Sequence, residues 1–357
     1  MRIALKVIEL EHLGIVRMRG ADAVKFLQGQ LSNDVAQLSD QRSLLAGYHN
    51  PQGRTIALVR LVQWDTEDIL AVVPRELATV VASRLSKFVL RAKVKVADES
   101  AAWRVSGLLG AAPAGAGLTM GDANAMAASA AAAPGAAASD AVASDAQGAG
   151  GLRELPASAN AQALTDGAAY VCVGDQQPRW LVISRATGPS ALSDYPVDDR
   201  ETWQRLDVAA GQPQVYAATS EEFVAQMLNL DALNAIAFDK GCYTGQEVIA
   251  RAHYRGRVKR RMQRFVSREP CQLSPGDSGQ LADGRTFKVV QAAQLADGRC
   301  DFLAVAPMQV AVSEPGDANS KLAPAADVTA GGSGAAAAPM VATLAADQVA
   351  LPYPLPE

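Results

Sequence analysis

At 357 residues the chain is too long for one ordinary hydrophobic core, so two or three domains are expected. Acidic residues outnumber basic ones, 37 to 33, which excludes a global basic field for nucleic acid or membrane and leaves only a local anion site. Four cysteines without a CxxC pair and only three histidines argue against a disulfide framework and against a structural metal.

In chain order, the N-terminal MRIALKVIELEHLGIV is interrupted by Glu9, Glu11 and His12 before a signal-length apolar run forms. No stretch suits a bilayer span, so a cytoplasmic protein without membrane contact is expected. Asp22 as a cap, then Val24, Leu27 and Leu31, predicts a short amphipathic helix stopped by SND. Two apolar runs around Asn50-Pro51-Gln52-Gly53 predict a hairpin, and ILAVVP a further strand. Over 75–91, Leu77, Val81, Leu85, Phe88 and Val89 share one helical face; KVKVAD follows as a strand. This order suggests α+β layers of mainly antiparallel sheet.

From 111 to 166 the composition falls to Ala, Gly, Ser and Asp, which cannot bury enough area to offset ordering entropy, and a second such segment lies near 312–346. Both are expected to be disordered insertions. Between them come a hairpin around Gly174–Pro178, a helix from Asp199 ended by Gly211, and a helix through QEVIARAHY. Strands punctuated by SPGDSG and two ADGR turns suggest a small C-terminal β-barrel.

The stretch DKGCYTGQE, residues 239–247, carries the sharpest chemical signal. Thr244 to Glu247 reads as a capping box starting that helix. Cys242 then lies just before a positive helix end, with Lys240 adding charge, an arrangement that favours a reactive thiolate. The competing reading is a small buried hydrophobe in a glycine-flanked turn. Residues 251–268 hold Arg251, Arg255, Arg257, Lys259, Arg260, Arg261, Arg264 and Arg268 without one acid. The stripe is either a solvated face or an anion site, and RNA phosphates and the carboxylates of a cofactor tail fit it equally.

The block KGCYTGQEVIARAHYRG resembles the signature of the YgfZ-type folate-binding proteins, relatives of the T protein (aminomethyltransferase) of the glycine cleavage system. FLQGQLSNDV, LLAGYHNPQGR, LSKFVLRAKVKVAD, the AAG after Trp203 and the terminal LPYPLPE extend the resemblance over nearly all of the chain except the two insertions. It implies an α+β, three-domain ring with a small C-terminal β-barrel. The expected division is 1–50 with about 190–256, then 51–110 with 167–189, then 257–357.

The resemblance further implies tetrahydrofolate or a derivative as cofactor and a role in assembling or repairing iron–sulfur enzymes, including a tRNA methylthio-transferase. It makes Cys242 the reactive group, with Lys240 beside it. Folate contacts are expected from Trp203, Leu13, Tyr243, Gln246, Arg251 and Arg255. Leu13 stands where the family has a second tryptophan. Arg54-Thr55-Ile56-Ala57-Leu58 follows the hairpin glycine where aminomethyltransferases carry an aspartate pair, so transfer of that type is not expected. A monomer is expected. Two alternatives stay open: a folate-dependent one-carbon transferase using Cys242, and a tRNA-binding module using the basic stripe.

Overall fold

The computed structural model describes residues 5–110, 155–308 and 340–356, apart from 166, 175–176, 189–191 and 257. Most of both Ala-rich insertions lies outside the described residues.

Three sheets organise the chain. The first, in the order β3-β4-β5-β2-β6, is formed by β2 (Leu13–Arg19), β3 (Leu44–His49), β4 (Thr55–Asp65), β5 (Asp68–Pro74) and β6 (Lys95–Asp98). Its central strands are apolar on both faces because both faces are covered. Val16, Met18, Ile69, Ala71 and Val73 enter the main core, while the alternate residues Leu13, Ile15, Leu70 and Val72 enter a second core beneath the next sheet. Helix α1 (Ala23–Gln28) and helix α2 (Arg75–Ser86) pack on the main-core side, α2 through Leu77, Val81 and Leu85. The expected helix of 75–91 stops at Ser86, and Phe88 and Leu90 beyond it are exposed.

The second sheet, in the order β1-β7-β10-β9-β8, contains β1 (Lys6–Glu9), β7 (Trp103–Leu109), β8 (Gln162–Thr165), β9 (Ala168–Cys172) and β10 (Arg179–Arg185). The expected division at residues 50 and 51 falls between β3 and β4. It would cut the β3–β4 hairpin, and the segment 1–50 gives β1 to this second sheet. The first insertion is also shorter than expected, because Gln162–Thr165 pairs with β9.

Helix α3 (Arg200–Ala209) begins at Asp199, whose carboxylate accepts from the Thr202 amide at 2.6 Å, and the chain reverses at Gly211 with φ 61°. Helix α4 (Gln246–Tyr254) precedes the third sheet. There β11 (Arg260–Ser267), β12 (Ser278–Leu281), β13 (Thr286–Gln294), β14 (Cys300–Pro307), β15 (Met340–Leu344) and β16 (Ala346–Val349) take the order β15-β12-β13-β14-β11-β16. β15 and β16 are separated by a single residue yet occupy opposite edges, so the sheet curls almost to closure. The expected second insertion of 312–346 therefore gives its last residues to strands.

The main core joins the first sheet to Met262, Val290, Leu303 and Val305 of the third. Helix α3 links the other two sheets: Asp207 pairs with Arg179 of β10 at 2.5 Å, and the Ala209 carbonyl accepts from Arg264 of β11 at 3.5 Å. Contacts thus run in a ring through all three sheets. Tyr353 near the C-terminus secures α3, its hydroxyl donating to the Gly211 carbonyl at 2.7 Å.

Candidate functional site

The segment that carries the cysteine motif is pinned to the first sheet. Ser32 donates to the Ala235 carbonyl at 2.7 Å and receives the Gly47 amide at 2.8 Å, and the Ala237 amide reaches the Ser32 carbonyl at 2.9 Å. Lys240 is half-buried and donates to the carbonyls of Gln28, Leu31 and Asn33 at 2.8, 2.8 and 2.7 Å. Burial pulls its ammonium down to about 8, opposed by the Asp34 carboxylate. With three N–H donors committed to the chain just after α1, Lys240 is a clamp for the loop.

Tyr243 is buried beneath the loop, 6.5 Å from the His49 ring, and burial raises its hydroxyl to about 12. His49 is itself 1% exposed. Its Nδ1 meets the Thr55 hydroxyl at 3.3 Å, its Nε2 has no partner, and burial drives it down to about 3. Between these two anchors Gly241 and Cys242 are exposed. The buried-packing reading of Cys242 is therefore set aside.

The expected capping box does not form. Gly245 is the N-cap of α4 at φ 84°, and no side chain caps it. A Cβ there would sit 2.6 Å from the Asn50 carbonyl, because the tip of the β3–β4 hairpin rests against this residue. Thr244 thus stands one position before the cap and the spacing to Glu247 no longer serves a box; Cys242 lies three positions before the cap. Gln246 is half-buried at the first turn.

The basic stripe divides. Arg261 forms a buried bidentate pair with Asp231 at 3.0 and 2.9 Å, Arg264 pairs with Asp301 at 2.6 Å, and Arg268 with Asp347 at 2.7 Å. Arg260 donates to Thr286. Arg251, Arg255 and Lys259 remain exposed, and none forms an ion pair among the described residues.

Trp203 and Leu13 belong to the core between the first two sheets, at 3% and 6% exposure. The indole lies against Gly107, where any Cβ would collide with it, and the Arg179 guanidinium sits 5.1 Å from its centre. The residues expected to contact folate accordingly occupy separate places: Leu13 and Trp203 in the inter-sheet core, Tyr243 and Gln246 under and after the motif loop, Arg251 and Arg255 on the outer face of α4.

Around Trp203 the structure brings together polar groups that the sequence reading missed. Arg60 and Arg179 are buried, and among the described residues one carboxylate, Asp207, faces them, hydrogen-bonded to Arg179 and to Trp203. Arg60 donates to Asn160 at 2.5 Å, and burial lowers it to about 10. Nη2 of Arg179 has no partner among the described residues. Among the described residues, two buried guanidiniums beside one carboxylate leave a cationic donor unanswered, which fits an acceptor-bearing or anionic ligand. The only signal in the sequence was an arginine inside each of two otherwise apolar runs, ALVRLV and PRWLVIS. Glu221 is a further unforeseen carboxylate beside the hairpin tip, held by Asn50 at 2.7 Å and Arg84 at 2.6 Å.

No helix among the described residues is long and apolar enough to cross a membrane. No protein-family model matches the chain. It is 31% identical over 306 residues to the tRNA-modifying protein YgfZ of Pectobacterium carotovorum, covering 83% of this chain and 82% of that one. The corresponding protein of Pectobacterium atrosepticum is 30% identical with the same coverage. Among solved structures, the glycine cleavage system aminomethyltransferase T from Bartonella henselae superposes with a TM-score of 0.60 over 86% of this chain and 79% of that one, at 14% identity. The last similarity establishes the fold alone.

Proposed function

The chain belongs to the YgfZ family of tRNA-modifying proteins, and from that premise we propose that it is a cytoplasmic, monomeric, folate-binding accessory protein that assembles or repairs iron–sulfur enzymes, including a tRNA methylthio-transferase. The observation that carries the proposal is the motif loop: its thiol is exposed while Lys240 is fixed to three carbonyls at and after the end of α1 and Tyr243 is buried. A side chain that packed the fold would be buried there, and a mobile loop would not need a lysine clamp.

Tetrahydrofolate supplies one-carbon chemistry at its N5 and N10 positions when bound. The unpartnered Arg179 donor beside Trp203 would hold an acceptor atom of the ligand, and Arg60 would balance negative charge. A pterin stacking on Trp203 would have to displace what now covers the indole. Aminomethyl transfer through a carboxylate after the hairpin is not part of the proposal, because Arg54 stands there and donates to the Glu222 carbonyl at 2.7 Å.

Cys242→Ser separates the claims. The variant should melt with the parent protein and bind tetrahydrofolate equally in a fluorescence titration. It should fail to restore methylthiolation of tRNA in cells lacking the protein. Full restoration would refute the role of the thiol, and absence of folate binding by the parent protein would refute the cofactor.

A further inference from the structure

Among the described residues, the division of the basic stripe leaves Arg251 and Arg255 unpaired beside an aromatic cluster. Phe238 stacks on His253 with centroids 3.8 Å apart and planes at 16°. Tyr254 stands edge-on to both rings, at 6.1 and 4.8 Å, and is 68% exposed. Ala250, Arg251, Tyr254 and Arg255 line an open depression of about 420 Å³. Arg251 and Arg255 are one helical turn apart, about 6 Å along the axis.

We infer that this outer face of α4 binds single-stranded RNA. An unpaired base lies on Tyr254, next to the Phe238–His253 stack, and the strand's phosphates meet Arg251 and Arg255. A flat exposed ring flanked by arginines not committed to carboxylates is the combination that single-strand binding uses: the ring supplies sequence-tolerant stacking and the cations follow the backbone. Arg261, Arg264 and Arg268 do not take part, because they are already neutralised by Asp231, Asp301 and Asp347. The inference stands independently of folate binding.

Fluorescence anisotropy with a labelled RNA hairpin carrying an unpaired loop, and with the fully paired duplex of the same composition, tests it on the full chain. The hairpin should bind more tightly, and its affinity should fall with salt with a log–log slope of about −1.4, at about −0.7 for each of two phosphates. Tyr254→Ala should weaken hairpin binding about 10-fold with little change in slope. Arg251→Gln with Arg255→Gln should cut the slope by about 1.4. Arg268→Gln, exposed but paired, should change neither. All four side chains are exposed, so melting should match the parent protein. Equal binding of hairpin and duplex, an effect of Arg268→Gln as large as that of Tyr254→Ala, or equal competition by polyglutamate would overturn the assignment; the last would point to an acidic protein partner.

Discussion

Removing the imidazole of His49 should make the protein markedly less sensitive to acid. The ring is buried against Tyr243, and no charged side chain contributes to its depressed value of about 3. In the unfolded chain it titrates near 6.5, so below that pH the unfolded state binds a proton that the folded state refuses. Stability is complete above pH 6.5 and is lost as pH falls toward 3. The loss is about 3 kcal/mol at pH 4.5 relative to pH 8, approaching about 5 kcal/mol below pH 3. His49→Leu removes this term. It also leaves the Thr55 hydroxyl without its contact, a pH-independent cost of about 1 kcal/mol. Urea unfolding of both proteins between pH 8 and 4.5 checks the reasoning. The two stabilities should converge and then cross as pH falls. His12, lowered to about 4 by burial and Arg200, is present in both and cancels. Parallel curves would mean that the folded protein accommodates the imidazolium, and the argument from burial would be wrong.

Trp203→Ala should lower stability by about 3–5 kcal/mol, since the indole fills the core against Gly107. A loss of folate affinity without a fall in melting temperature would instead make Trp203 a ligand contact that the fold does not need. Gly245→Ala combines a strained positive φ with a collision at the Asn50 carbonyl. It should destabilise by more than about 1 kcal/mol and loosen the cysteine loop, read as faster amide exchange at residues 240–246. Under native conditions iodoacetamide should modify Cys242 first and Cys172 and Cys300 last, in the order of their exposure; peptide mapping by mass spectrometry would expose any other order.

What the sequence by itself determined is local. Asn50-Pro51-Gln52-Gly53 makes its turn because Asn50 accepts the amides of Gln52 and Arg54 and Gly53 takes φ 70°, interactions that span only a few residues. Asp199 and Gly211 bound α3 for the same reason, and the motif stretch carried the family signature without any contact being known. Tertiary structure decided the rest. Sequence spacing could not reveal that β1 pairs with β7 about a hundred residues away, or that β15 and β16 lie at opposite edges of one sheet. It could not tell which arginines of the stripe are free, because their aspartate partners come from other segments. Nor could it foresee that Lys240 turns to carbonyls 207–212 positions earlier in the chain, or that Trp203 is enclosed by Gly107 and Arg179. Backbone turn and cap preferences act over a few residues. The burial and pairing of a charge depend on which distant segments the packed core brings beside it.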